Sequence, residues 1–350
     1  MSQTIYLRGL RQADHTVFCV ADGQKFYYDP QFGQRMPFSS GQQVKRSIMD
    51  ALVESLGEPR APITFNYEIT AKKGEETLEN KEPWSPCDPR YADQLIGGWM
   101  RARPKTVTLK RRSPLSISAM RPLHPLLASM SKENLTFDRS EHPEQHPVRV
   151  LNADGEEMAT DAIDAWLASH DRALPRRHWI PDNTRTSGLF VYDVAIDLGR
   201  LFKVSTNRHD PELDPEQVER LQAEGWALTA DGEHLVCPKE RRNALIPALV
   251  EALVNWRVTS NQARTFSPQA TLAVALSNNA NRITGAIRAD LDEERPDRVA
   301  HPVIDTIPGV DTFVNLPAKG YIPGVTAAAD ALDDATAALT ARIAEYDFDN

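Results

Sequence analysis

Apolar positions along the chain gather into a few segments whose period gives them away. Val44, Ile48, Leu52 and Leu56 recur every four residues, with Met49 and Val53 beside them, so residues 38–59 carry one apolar helix face. Ser39 or Ser40 can cap its first turn, Gly57 suits a left-handed end, and Pro59 prevents resumption. Residues 4–21 alternate enough for a long strand. SGLFVYDVAIDLGRLF, 187–202, is rich in Val, Ile, Phe and Tyr and reads as the clearest strand. ATLAVALSNN, 270–279, is continuously apolar, as a strand covered on both faces must be. Helices are expected over 160–169, 214–228, 238–256 and, Ala-rich, 326–346.

Between these segments the pattern weakens. ADGQKFYYDPQFGQRMP, 21–37, reads as a turn-rich loop. ITFNYEI, 63–69, reads as a strand, AKKGEETLENKEPWSPCDP, 71–89, as a loop, and YADQLIGGWMRA, 91–102, as a short helix with a Gly-Gly break. SPLSISAMRPLHPLLASM, 113–130, begins as a strand, and 136–186 is a polar insertion around one short helix. Strand, helix, strands, helix, strand is the order of an α+β, RRM-like (ferredoxin-like) sheet, here with long interruptions.

Composition narrows the class. The chain has 350 residues, 41% of them hydrophobic, enough for one elaborated domain or two. Cys19, Cys87 and Cys237 are far apart and odd in number, so neither a disulfide framework nor a metal spacing is expected. MSQTIYLRGL is too polar for a signal peptide, and no apolar run approaches the ~20 residues of a membrane span. A cytoplasmic protein with no membrane partner is expected.

The net charge of −9 is distributed unevenly. From Gln94 to Lys132 there is no acidic residue, while Arg101, Arg103, Lys105, Lys110, Arg111, Arg112, Arg121 and Lys132 fall there. Arg172, Arg176, Arg177 and Arg185 form a second cluster, and Lys239, Arg241 and Arg242 a third. Such segregation suits a basic groove with an acidic back, or copies stacked acidic flank on basic flank.

Candidate chemistry is correspondingly anion-directed. Ser39, Ser40, Gln42, Gln43, Lys45 and Arg46 cluster at the positive end of the 38–59 helix, which makes either an anion site or a solvated first turn with ordinary surface charges. SNQARTFSP, 260–268, is either an ordinary connector or a second polar loop whose Asn261, Gln262, Arg264 and Thr265 could donate to phosphates. Asp193 and Asp197 alternate with apolar residues and read as the polar face of a strand. His142 and His146 are flanked by prolines that disfavour a shared helix face, so no metal site is expected. No GxGxxG, P-loop, GxSxG or HExxH occurs. Asp22 and Asp29 precede the first helix, either as turn residues or as groups able to activate a ribose hydroxyl.

Four stretches, SSGQQVKRSI, SPLSISAMRPLHP, TRTSGLFVYDVAIDLGRL and RNALIPALVEALVNWRVTSNQARTFSPQATLAVALSN, together resemble a known family in order and spacing. It is the repeating backbone subunit of type I CRISPR surveillance (Cascade) complexes, the Cas-seven family of the RAMP superfamily. NQARTFSP is similar to its DevR-like branch. The resemblance implies a palm from 1–59, 113–132 and 187–325, a fingers insertion at 60–112, a β-hairpin thumb at 133–186, and a C-terminal helix and tail at 326–350. It implies a non-catalytic protein without cofactor or metal, whose copies lie side by side along a guide RNA and present its bases to target DNA. Ser39, Ser40, Gln42, Gln43, Lys45, Arg46, Asn261, Gln262, Arg264 and Thr265 would hold RNA phosphates. Lys110, Arg111, Arg112, Arg176 and Arg177 would touch RNA or DNA, or form solvated faces. Trp179 or Ile180 would either intercalate in the RNA as the thumb residue or be buried in the protein. Cas-five-, Cas-eight- and Cas-six-type subunits would be partners.

The chain also departs from that pattern. Its thumb segment is longer and more polar than a simple hairpin, and its fingers segment offers no alignable match. Two other classes remain in view. One is a metal-dependent RNA-cleaving subunit of a type III complex, using Asp22 or Asp29. The other is a stand-alone RRM-type RNA-binding protein, although LFVYDVAI lacks the Lys/Arg-Gly lead of the RNP signature.

Overall fold

The computed structural model describes residues 3–18, 24–72, 75–102, 108–139, 145–258, 266–292 and 298–349; side chains at 72, 75, 134, 135 and 179–183 lie outside the description. From the N-terminus, β1 (Thr4–Thr16) leads to hairpin β2 (Phe26–Asp29) and β3 (Gln34–Pro37), then α1 (Gly41–Leu56) and hairpin β4 (Thr64–Lys72) and β5 (Glu75–Trp84). Next come α2 (Ala92–Gly97), β6 (Trp99–Arg101), β7 (Leu109–Arg111), β8 (Leu115–Ile117), β9 (Arg121–Pro122) and β10 (Ala128–Asp138). Helix α3 (Thr160–Ser169) precedes β11 (Arg177–Asp197), α4 (Leu198–Leu201), β12 (Lys203–Ser205), α5 (Pro215–Ala223), β13 (Ala227–Leu228) and β14 (His234–Val236). The chain continues through α6 (Lys239–Asn255), β15 (Thr271–Ser277), α7 (Ala280–Ala286), β16 (Ile287–Asp292), β17 (Val299–Ile304), β18 (Val310–Val314) and α8 (Ala331–Ala344).

Strand β1 lies between β11 and β15, antiparallel to both, in registers that include Leu7↔Val194 and Leu7↔Leu276. Strands β8 and β9 pair with β11 on its far side, and β18 pairs with β15. The sequence of neighbours is therefore β8/β9, β11, β1, β15, β18, with β10 also on β11. Side-chain alternation divides the burial between two faces. Ile5, Leu7, Tyr192, Val194, Ile196, Val274 and Leu276 face one core, shared with Val44, Ile48 and Leu52 of α1, Leu249 and Leu253 of α6, and Leu339 of α8. Leu10, Leu189, Val191, Leu272 and Ala275 face a second core, closed by Ile283 of α7, Ile287 of β16, and Ala318. All seven residues of β15 are buried, as its unbroken apolar run requires.

The chain is thus an α+β protein, divided into two compact units, Met1–Ser129 with Thr186–Asn350, and Met130–Arg185. Within the second unit, Arg185 pairs with Glu133 at 3.0 Å and Arg177 with Asp138 at 2.7 Å. Arg139 donates to the carbonyls of Leu174 and Pro175, and Ile163 is the buried residue of α3. Among the described residues no helix is long and apolar enough to cross a membrane.

Several expectations need correction. Residues 21–37 are not a plain loop: β2 and β3 pair from Phe26↔Pro37 to Asp29↔Gln34. The supposed loop 71–89 contains β5, paired to β4 by a ladder that includes Ile69↔Leu78 and Lys72↔Glu75. Its run of Glu and Lys disguises a strand, because those residues are depleted in sheets and, among the described residues, the hairpin's side chains are largely exposed, with no core to impose alternation. Strand β11 starts ten residues before the apolar run at 187, in a polar stretch. The Gly-Gly break after α2 is real, since Gly98 has φ 75° and a Cβ there would meet Arg111 O at 2.6 Å.

Candidate nucleic-acid interface

Helix α1 ends and begins as its sequence demands. Ser40, not Ser39, is the N-cap, its hydroxyl accepting the Gln43 N–H at 3.3 Å. Gly57 is left-handed (φ 65°), and its N–H reaches Glu54 O at 3.1 Å. The first turn approaches β8 closely: a Cβ on Gly41 would lie 3.0 Å from Ile117 O. Beside this contact is an open groove of about 520 Å³, lined by Ser40, Gly41, Gln42, Lys45, Leu115, Ile117 and Ala119. Its helix-terminal amides belong to a turn for which an α-helix supplies no acceptor, and the dipole adds positive potential there.

The six candidates on this helix divide by burial. Gln42 is exposed, and Arg46 is exposed too, held only loosely by Asp50 at 3.8 Å. Lys45 lines the groove but donates from Nζ to the Gly97 carbonyl. Burial lowers its pKa from the ordinary lysine value. An ammonium has three donors, so this one bond leaves capacity for an anion. Gln43 is half-buried, its backbone carbonyl accepting the Ser47 hydroxyl at 3.0 Å. Ser39 is buried and exchanges two backbone hydrogen bonds with Met120, at 2.9 and 3.0 Å. Its hydroxyl finds no partner among the described residues. Ser39 is therefore placed behind the groove, not on it.

Asn261, Gln262, Arg264 and Thr265 lie outside the described residues, as does Asp22. The described residues flanking that expected loop are nonetheless held together. The Gln269 side chain accepts the Val258 N–H at 3.2 Å and donates to the Val258 carbonyl at 3.3 Å. Just before that loop, buried Arg11 of β1 donates to the Val254 and Trp256 carbonyls and lies 4.2 Å above the Trp256 ring. A cation thereby satisfies carbonyls that the C-terminus of α6 leaves open.

Lys110, Arg111 and Arg112 do not act alike. Arg111 is buried, pairs with Glu212 at 3.0 Å, and donates to the carbonyls of Leu95, Arg200 and Lys203. Burial lowers its pKa and Glu212 opposes that shift. Its donors are directed into the protein, which corrects its candidacy as a nucleic-acid contact. Lys110 and Arg112 are exposed, on a polar pocket of about 290 Å³ that also includes Arg200, Lys203, Asp210 and His234. Arg176 and Arg177 are exposed in the second unit; Trp179 belongs to β11, and its side chain lies outside the description.

The acidic candidates, where they are described, are engaged in hydrogen bonds or ion pairs. Asp29 accepts the N–H groups of Gln31 and Phe32 at 3.0 and 2.9 Å, closing the β2–β3 turn. Asp193 is gripped by Arg8 at 2.7 and 3.0 Å, and Asp197 lies 3.5 Å from Arg200. Asp231, Glu233 and His234 bring ligand-type atoms within 4.8 Å of one another. Asp231 there already accepts from Thr229 and from the Glu233 N–H. Burial pushes the Cys237 thiol up to about 12, which disfavours the thiolate.

Two surfaces escaped the sequence analysis. The β2–β3 hairpin exposes Phe26 and Tyr28. The β4–β5 hairpin exposes Phe65, Tyr67 and Ile69, with Leu78 opposite Ile69. Alternation around Asp29 and Gly33 was the available signal for the first.

No protein-family model matches the sequence, and no curated protein matches it. Among solved structures, the chain is similar to a chain of a "CRISPR RNA-guided surveillance complex, pre-nicking", at TM-score 0.44 and 11% identity, over 98% of this chain and 89% of that one. It is also similar to a chain of a "CRISPR RNA-guided surveillance complex", at TM-score 0.42 and 11% identity, over 97% of this chain and 98% of that one. At these values neither likeness carries an argument about what this chain does.

Proposed function

We propose that this chain is a non-catalytic, cytoplasmic subunit that binds a guide RNA along its phosphates, as the Cas-seven backbone of a CRISPR surveillance complex does. The observation that carries the reading is the groove at the start of α1, where Gln42 and Lys45 meet helix-terminal amides. The neighbour order β8/β9, β11, β1, β15, with α1 and α6 against the same core, is the order an RRM-like palm needs and supports that finer fold. Arg46 adds an exposed cation one turn into the helix. Contacts of this kind hold a backbone and leave bases to pair with target DNA. Side-by-side copies gain support from the β4–β5 hairpin. A lone two-stranded sheet with an exposed apolar face is marginal in water, and a neighbouring copy would cover it. Cas-five-, Cas-eight- and Cas-six-type subunits would complete the complex.

The test is to purify the chain and follow absorbance at two wavelengths, for nucleic acid and for protein, across a sizing column. A large species carrying RNA that is shed at high salt is expected. A nucleic-acid-free monomer that ignores added RNA overturns the reading. The type III alternative rests on Asp22 or Asp29. The turn bonds of Asp29 argue for a structural role, and unchanged RNA cleavage in Asp22→Ala and Asp29→Ala would remove it.

A further inference from the structure

We propose that Phe26, Tyr28 and Arg35, on the outward face of the β2–β3 hairpin, form a stacking platform for unpaired nucleobases. This rests on the RNA-binding reading above and adds to it a site for bases, where the α1 groove serves phosphates.

The register sets the geometry. Tyr28 is directly opposite Arg35, and Phe26 is two residues from Tyr28, so all three share one face of the hairpin. Tyr27 and Met36, opposite each other, take the other face. That second face is the more inward one: Met36 is 1% exposed, and Tyr27, 36% exposed against 63% for Tyr28, packs edge-on to Phe38 at 5.9 Å. Burial accordingly raises the Tyr27 pKa. A hairpin with its apolar side already buried would ordinarily show water Thr, Lys or Glu. This one shows Phe26 at 48% and Tyr28 at 63% exposure. Arg35 lies 4.7 Å above the Phe26 ring. Aromatic faces interleaved with a guanidinium are what single-stranded nucleic acid stacks upon, whatever its sequence, because every base has a π-face.

Position supports the same ligand. Strand β3 ends at Pro37, and Ser40 caps α1, so platform and phosphate groove flank one short connection. Exposed Lys25 and Arg121 add positive charge, and Asp29 beside them is occupied by its turn. A protein partner could also use exposed Tyr and Arg; the experiment separates that occupant.

The full chain is titrated with a single-stranded RNA and with an abasic oligonucleotide of equal length and equal phosphate number. The wild type should bind the base-bearing strand about tenfold more tightly, from stacking. A Phe26→Ala, Tyr28→Ala double variant should lose that preference while keeping its affinity for the abasic strand. Tyr28→Phe should keep the preference, which separates stacking from misfolding. A 2-aminopurine base in the RNA should be quenched by the wild type and not by the double variant. Equal binding of both strands by the wild type would overturn the platform and leave the phosphate reading standing. Binding of neither would overturn both. A double variant that keeps the base preference but loses self-association would assign the face to protein, also against the proposal.

Discussion

The phenol ring of Tyr192 occupies the space that a side chain on Gly9 would need. The two residues are paired in the β1–β11 ladder, and a Cβ on Gly9 would lie 2.2 Å from Tyr192 Cε1. The ring is held from three sides: its hydroxyl donates to Leu253 O at 2.6 Å, Trp256 meets it edge-on at 5.0 Å, and Arg11 lies 5.3 Å from its centroid. Glycine is therefore required in the middle of a strand that would otherwise disfavour it. Gly9→Ala should lower stability by about 2–3 kcal/mol through overpacking. Tyr192→Phe should cost about 1 kcal/mol for the lost hydrogen bond. Denaturant midpoints of both variants check this; a wild-type midpoint for Gly9→Ala would mean the ring can move aside.

The neighbouring arginines 111 and 112 should separate cleanly. Arg111→Ala leaves half-buried Glu212 without its cation and three carbonyls without this donor inside the protein, and should destabilise by about 3 kcal/mol. Arg111→Lys should recover little, because an ammonium cannot reproduce the planar fork. Arg112→Ala, at an exposed site, should change stability by no more than about 0.5 kcal/mol. Thermal melts of the three variants test this, and similar losses at 111 and 112 would contradict it.

Much of this fold was legible because burial imposed period on it. Helices α1, α5 and α6 and strands β1, β11 and β15 announce themselves, each having one or two faces against a core. Hairpin β2–β3 and strand β5 were missed for the converse reason: their exposed faces carry aromatic or charged residues with no core to sharpen the pattern, whereas β4 was expected from ITFNYEI. The exposure of the candidate residues was only partly legible. Gln42 and Arg46 reach solvent as expected, whereas Ser39 and Arg111 are drawn inside by contacts far along the chain, with Met120 and with Glu212. Nothing in a local pattern reveals such a contact.

On the RNA-binding reading, three substitutions should act unequally. Arg46→Ala should weaken RNA binding and reduce the slope of log affinity against log salt by about 0.7, the value for one contact to a single strand. Lys45→Ala should do the same and also lose stability, since its ammonium holds Gly97 near the turn after α2. Asp197→Ala should leave both the affinity and the slope unchanged. Fluorescence anisotropy over a salt series reads all three. Equal slopes throughout would remove α1 from the interface.

His124 should make the protein sensitive to mild acid. Its Nδ1 accepts the Leu126 N–H at 3.1 Å, which requires an unprotonated nitrogen, and its ring meets Phe32 edge-on at 4.9 Å. Burial lowers its pKa from 6.5, opposed by the nearby Asp29 carboxylate. The folded state therefore binds a proton less readily than the unfolded chain does, and stability rises with pH wherever the two differ. The contribution of the neutral ring is present above pH 6.5 and is lost as the pH falls from there through the folded-state value. His124→Asn keeps a short acceptor for the Leu126 N–H but cannot titrate. Its melting temperature should therefore fall less than that of the wild type between about pH 7.5 and about pH 5.5, the range in which histidine changes charge. An identical fall in both proteins would place the acid sensitivity elsewhere in the chain.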